Sequence, residues 1–546
     1  MFGGAVNGDG RSTRVVRGTE SIRSCAPNEP RFHPPVSFTD EDLLWENNVP
    51  VEDDANRHLL DLTEPVKIFV SNYFNGTPSL ASVHEIIPAL QSLHATLVGL
   101  ESEYCHEQTS ILAWGYLADA CEKVTRCENF NCEDVNAPFI KTILMKAARY
   151  LDPSLTEYRN LEGRTMGSSE ARIDAAKGIM RLAKKSACAG EELFEMVESL
   201  ANDPVPHVRS IIAQTLRNLY QVAPDLMWKL LSNFSKIENN EDVLNHFVPA
   251  SLRQLASYHP DHIAQLVRQV FDRVCENDQA SETRRCCTDI FTGLCIWQNQ
   301  IVCEETLQMI INDPVKFNTE AHRIAFNVRA QLNLGSTESP NAEHNKVRVK
   351  SFTILQQLLT STLNQAKELN SKYAKDLPFS SWSEPDQKKA SDLAHLADSI
   401  GMQIYFASGA FQDNDTEDPV PRGVLEQTRF WKHARPILEL LAEFGYASLV
   451  HHLIQTLEYL LQFAPLEVFL LMGKVLSKGK EGGYQYELMA ITLIVKIIEQ
   501  FIAEYRQYLQ ESEACRRTLI EILDTFVDAG WPAARRLTYR LEEIFL

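Results

Sequence analysis

A chain of 546 residues with 44% hydrophobic and 23% charged side chains has the composition of a folded protein, which excludes wholesale disorder, and is too long for one compact core. Its 53 basic and 73 acidic side chains leave a net charge of −20, which disfavours a large nucleic-acid face because phosphate binding needs clustered Lys and Arg. The excess is uneven: residues 51–200 carry 14 basic against 23 acidic side chains, a net of −9, whereas 201–350 carry 15 against 17, a net of −2.

In chain order, the opening MFGGAVNGDGRSTRVVRG contains no apolar run of the kind that drives secretion. No stretch approaches the roughly 18 apolar residues of a membrane span. The nearest, Leu488 to Ile498, is short and interrupted by Lys496. Without an export signal the 12 cysteines read as reduced thiols and the chain as cytoplasmic. Residues 1–57, rich in Gly, Pro, Asn and charge, read as a disordered arm. Helical patterning begins at His58 and is interrupted at 335–346, 376–389 and 412–423, where turn formers and charge replace periodic Leu and Ile. Strand signals are scarce. The expected organisation is an arm (1–57), a helical repeat array (58–334), a helical connector with loops (335–423) and a C-terminal helical domain (424–546).

The array carries an internal repeat. LRNLYQVAPDLMWKLL (216–231) aligns without gaps to LRQLASYHPDHIAQLV (252–267), at an offset of 36. Leu216, Arg217, Leu219, Pro224, Asp225 and Leu230 match Leu252, Arg253, Leu255, Pro260, Asp261 and Leu266. LEYLLQFAPLEVFLLM (457–472) repeats the pattern much later. Leu at i and i+3 seats one helix, the chain turns, and Pro opens the next helix at a position whose N–H would be unpaired anyway. Asp225 and Asp261 complement the positive helix end, and stripes such as Met227, Leu230, Leu231 and Phe234 are buried. This predicts stacked helix pairs, and a period in the high thirties fits HEAT or armadillo arrays.

At Asp203, Pro204, Pro206, Val208 and Arg209 the chain resembles the HEAT family, whose units place Asp–Pro in the turn and Val–Arg at the start of the second helix. Asp278 and Arg284 repeat the Asp-to-Arg interval two units later. The resemblance implies an inter-repeat ladder of Asp203, Arg209, Asp278 and Arg284. Val248 stands where the intervening unit would place Arg, so the ladder is expected to break there. The fold expected is all-α, a HEAT-like α-α superhelix (solenoid) with a C-terminal helical domain. In that domain an apolar hairpin (Ile437 to Val475), a long helix (about Tyr486 to Tyr508) and two closing helices are expected, the last two separated by Gly530–Trp531–Pro532. This part is similar to the helical tails of long bacterial ATP-binding proteins.

No constellation points to catalysis. The chain has no phosphate-cradling G-x-x-x-x-G-K-[ST], since Gly473–Lys474 lies in an apolar helix, and no G-x-S-x-G or H-E-x-x-H. His84–Glu85 and His106–Glu107 resemble the His-Glu pairs of HEAT-type deoxyhypusine hydroxylases, but that family uses four pairs and this chain has two. Cys121, Cys127 and Cys132, with Cys105–His106, lack the tight C-x2-C spacing of structural zinc and read as buried or half-exposed thiols, as do Cys286, Cys287, Cys295 and Cys303. No cofactor is expected. Arg217 and Arg253 occupy one position in two matched repeats, so they are neighbours in the stack and candidate contacts for a partner. The function expected is that of a non-catalytic protein-binding scaffold or adaptor. Two alternatives are a helical sensor or regulatory part of a bacterial NTPase-type system, and a nucleic-acid-binding HEAT-like protein, which the net charge disfavours.

Overall fold

The structure is a computed structural model, and it describes residues 54–99, 107–131, 133–150, 170–185, 190–333, 342–374, 377–411 and 424–545. The arm expected over 1–57 lies outside these residues apart from Asp54–Arg57, which open the first helix. Segment 412–423 and most of 335–346 also lie outside them. The described residues are helical with connecting turns and contain no strand. They divide into two compact units, one ending at Thr283 and the other beginning at Arg284.

In the unit ending at Thr283 the helices alternate between two layers, because each pair buries one face on its hairpin partner and another on the next pair. The first layer packs Asp54–Asn72, Glu107–Arg126, Ala171–Lys184, Pro206–Thr215 and Glu241–Phe247 in succession. Leu80–Gly99, Ala137–Ala147, Glu191–Ala201, Pro224–Ile237 and Pro260–Val274 form the second. The other unit follows the same rule. Asn318–Val328, Glu384–Ser408 and Ala447–Leu460 pack in succession, backed by Ile301–Asn312, Ala342–Ser371 and Val424–Leu441. Pro465–Glu481 then packs on Glu513–Asp528, and Pro532–Phe545 closes the chain. The fold is an all-α solenoid.

The repeat signature sits where its physics requires. Pro224, Pro260 and Pro465 each open a helix. Leu216, Leu219, Leu252 and Leu255 are buried, as are the two predicted apolar stripes. Two local departures accompany it. Leu216–Leu219 is a 3-10 turn, and Val248–Leu252 is wound as a π-helix around Pro249, which has no N–H to continue the α ladder. The long helix expected to reach Tyr508 stops at Glu504, where Tyr505 leaves helical φ/ψ and packs its ring on Phe501 and Tyr508. The interruption at 376–389 is structured over its described residues: the Trp382 ring stacks on Tyr373 at 4.2 Å, and the Tyr373 hydroxyl donates to Asp386 at 2.7 Å.

Two glycines follow Pro465–Glu481 for different reasons. Gly483 has φ +83, a left-handed conformation that L side chains rarely adopt. Gly482 has ordinary dihedrals, but a Cβ there would lie 1.9 Å from the Gly445 carbonyl oxygen. Backbone of two connections therefore meets at Gly482. Gly482→Ala should destabilise the fold by about 1–3 kcal/mol. Gly293→Ala, inside a helix and with open space at its Cβ, should stabilise it by about 0.5–1 kcal/mol. Denaturant midpoints of both variants check the pair, and a neutral Gly482→Ala would remove the close approach from the account.

Candidate functional site

The residues singled out by the sequence separate into two environments. Asp203, Arg209 and Arg284 are drawn between helices. Arg217 and Arg253 remain exposed at the turn end of their hairpins.

Asp203 is buried, accepts the Val205 N–H at 2.8 Å and faces Arg172 at 3.3 Å. Arg209 makes a two-pronged contact with Glu238, at 2.7 and 3.0 Å, and donates a further N–H to the Asp203 carbonyl at 2.8 Å. A cleft of about 290 Å³ beside this pair is lined by Pro204, Leu230, Phe234 and Ile237 among others, and offers no nucleophile. Arg284 reaches Glu320 at 2.6 Å, and its neighbour pair Arg323–Asp289 runs the opposite way between the same helices. The side chain of Asp278 lies outside the described residues. At the unit of Val248, neutral hydrogen bonds stand in for the ion pairs. Ser251 donates to the Ala213 carbonyl at 2.6 Å and Thr283 to Asn245 at 2.7 Å.

Sequence reasoning missed the densest part of this network. Glu122 is fully buried and accepts from Lys123 at 3.3 Å, from Arg126 at 3.0 Å and from Arg181. Lys123 also reaches Asp119 at 2.5 Å. One helix along, Asp174 binds Lys177 at 2.8 Å and accepts the Glu170 N–H at 3.1 Å. The signal was available: these charges stand on the apolar faces of LADACEKVTR and ARIDAAKGIM.

Burial, reinforced by the negative charge of Asp119, pushes the Asp174 carboxyl up to about 6, although Lys177 and Lys123 pull it down. Between its ordinary pKa of 3.8 and about 6, the folded chain holds this proton and the unfolded chain has lost it. Its contribution to stability is therefore complete below pH 4 and is lost as pH rises through 6. Burial also raises the Cys121 thiol, and pushes the Cys303 thiol up to about 12, so neither is a ready nucleophile. Cys127, Cys287 and Cys295 are buried as well, while Cys105, His106 and Cys132 lie outside the described residues. Of the His-Glu pairs, His84 meets Asp134 at 2.9 Å instead of Glu85.

The exposed face is built by the two matched repeats. Arg217 donates to Gln254 of the next repeat at 2.7 Å, and Arg253 stands beside Gln254 at the position equivalent to Arg217. The turns that follow add rings. The Tyr220 hydroxyl lies 2.8 Å from His259 Nε2, Trp228 stacks on His262 at 4.4 Å, and His259 meets the Trp228 ring edge-on at 5.0 Å. Tyr220 and Tyr258 are 37% and 67% exposed, which is high for rings of this size. The same two repeats thus carry two exposed arginines and an aromatic and imidazole cluster. They can offer guanidinium donors and apolar area together.

No family model matches the chain, and no curated protein matches it. Three solved structures align with it along most of its length. A homology model of the full-length AP-3 complex does so at 12% identity and a TM-score of 0.28, over 91% of this chain and 82% of that one. Kap121p aligns at 12% and 0.24, over 93% of this chain and 53% of its own. SYS-1 aligns at 10% and 0.18, over 89% and 98%. TM-scores this low leave the fold to rest on the chain's own helix packing. Among the described residues no helix is long and apolar enough to cross a membrane.

Asp174→Asn tests the electrostatics of the buried network. Relative to wild type, the variant should gain about 1–3 kcal/mol as pH rises from 4 to 7, because it no longer gives up a proton in the folded state. Urea unfolding at the two pH values measures it. A stability gap that does not change with pH would show that Asp174 is not held protonated.

Proposed function

We propose that the chain is a non-catalytic protein-binding scaffold or adaptor of HEAT-like build, working in the cytoplasm. In this reading 58–334 is the repeat array and 1–57 an arm. Residues 335–423 form a connector, and 424–546 a C-terminal helical domain. Its partner is a protein that presents an acidic surface to Arg217 and Arg253.

The observation that carries the reading is that Arg217 and Arg253 are exposed at equivalent positions of two matched repeats whose turns and following helices carry Tyr220, Tyr258 and the Trp228–His262 stack. Interface hot spots are enriched in Trp, Tyr and Arg, and rigid rings contribute contact area at little entropic cost. An arginine held toward a neutral glutamine keeps its charge for a partner. The paired Arg209 and Arg284 do not, since their carboxylates already neutralise them. Asp203, Arg209, Asp278 and Arg284 are assigned to holding repeats together, and Arg217 and Arg253 to binding.

The test is the doubly charge-reversed chain, Arg217→Glu with Arg253→Glu, tagged and recovered beside wild type from its own cells after cross-linking. Proteins captured by wild type should fall roughly tenfold or more in the variant, and the difference should shrink at high salt, because exposed charges are screened over about 8–10 Å at physiological ionic strength. Stability should change by about 1 kcal/mol or less, since neither arginine belongs to the leucine pairs. Equal capture by a folded variant would overturn this assignment of the face.

A further inference from the structure

A second arginine site lies in the other unit. The helix Asn318–Val328 ends in a 3-10 turn that begins at Arg329. The Arg329 guanidinium lies 4.9 Å from the centre of the Phe326 ring and 5.3 Å from that of Phe406, which comes from the end of Glu384–Ser408. Two rings of neighbouring helices thus bracket one cation. Phe411 extends the surface, meeting Phe406 edge-on at 5.2 Å and Tyr405 at 6.3 Å. Phe326 and Phe411 are 47% and 40% exposed, although both are large apolar side chains.

A neighbouring arginine supplies the contrast. Arg323 also lies over the Phe326 ring, at 5.1 Å, but its guanidinium is bound to Asp289, with one N–H···O distance of 2.7 Å. Asn327 donates to the same carboxylate at 2.8 Å. Arg323 is therefore neutralised in place. Among the described residues Arg329 has no carboxylate within ion-pair distance and no hydrogen-bond acceptor. Stacking on rings occupies the faces of a guanidinium and leaves its N–H groups pointing outward in their own plane. Those donors match the two oxygens of a carboxylate, and the rings fix the fork before anything binds.

We propose that Arg329, bracketed by Phe326 and Phe406 and flanked by Phe411, is a docking site for a short acidic peptide segment of a partner protein, in which one carboxylate sits beside an aromatic or aliphatic side chain. The carboxylate pairs with the Arg329 fork, and the neighbouring side chain covers the exposed edges of Phe326 and Phe411. One uncompensated charge next to apolar rings fits one carboxylate next to an apolar group. A nucleic-acid strand would ask for a track of cations, and among the described residues the site has a single unpaired one. This site is independent of the Arg217 and Arg253 face.

The experiment measures fluorescence polarisation of labelled synthetic peptides with the full chain. One set pairs Asp or Glu with Phe or Leu, a second replaces the acids with Lys, and a third probe is a single-stranded oligonucleotide. Wild type should bind members of the acidic set and neither other probe. Arg329→Glu should weaken that binding roughly tenfold or more, and Arg329→Lys should weaken it several-fold, because a lysine keeps the charge but loses the planar fork. Phe326→Ala should weaken it also, and the Arg217→Glu/Arg253→Glu chain should bind the acidic peptides as wild type does. Melting curves establish that each variant is folded. The proposal is overturned if no acidic peptide binds, if folded Arg329→Glu binds as tightly as wild type, or if the oligonucleotide binds through Arg329 in preference to the peptides.

Discussion

A charged side chain placed between two stacked helix pairs has to meet its opposite there, because an uncompensated buried charge costs several kcal/mol. This constraint governs the packing of each unit. Glu122 can be fully buried only because Lys123, Arg126 and Arg181 converge on it, two from its own helix and one from the next. Arg209 with Glu238 and Arg284 with Glu320 repeat the arrangement at other steps of the two stacks. Apolar stripes set which faces meet, and a two-pronged Arg–Glu contact, being directional, adds a constraint on the register in which successive helices pack.

The same arithmetic sorts the arginines. Inside the layers some have carboxylate partners, as Arg209 and Arg284 do, and others hold helix ends: Arg273, for example, reaches across to the Ser235 carbonyl and, at 2.7 Å, to that of Glu238, covering the exposed carbonyls of the preceding helix. Two exposed arginines take another kind of neighbour. Arg217 is turned toward a neutral glutamine beside a tyrosine–histidine–tryptophan cluster, and Arg329 toward two phenylalanines. An aromatic face orients a guanidinium without neutralising it, which leaves the charge available for a second molecule. In a chain of net charge −20 such sites stand out against their surroundings.

Where the ion pairs lapse, the packing changes character without losing order. Around Val248 the helix widens into a π turn at Pro249, and Ser251 and Thr283 form neutral hydrogen bonds to the helices on either side. At Gly482 and Gly445 the connections approach so closely that backbone replaces side chain as the contact. Each device meets the same requirement, that a repeat with two apolar faces be held against both neighbours.

The helical class, the repeat and the turn prolines were legible in the sequence because their causes are local. Leu216 and Leu219 lie one turn apart, Pro224 lacks an N–H wherever it stands, and Met227, Leu230, Leu231 and Phe234 line one face of any helix that contains them. Two matched copies were enough to mark Arg217 and Arg253 as neighbours. The partners of the charged residues were not legible. Arg209 and Glu238 are 29 residues apart, Arg284 and Glu320 36, and Glu122 and Arg181 59, and the intervals follow no common period. The stacking of Trp228 on His262 and the bracketing of Arg329 by Phe326 and Phe406 were likewise decided by helix against helix. Local patterning determines which face of a helix is buried. Only the packing of one helix on another brings distant residues within the 3–6 Å over which ion pairs, hydrogen bonds and ring contacts act.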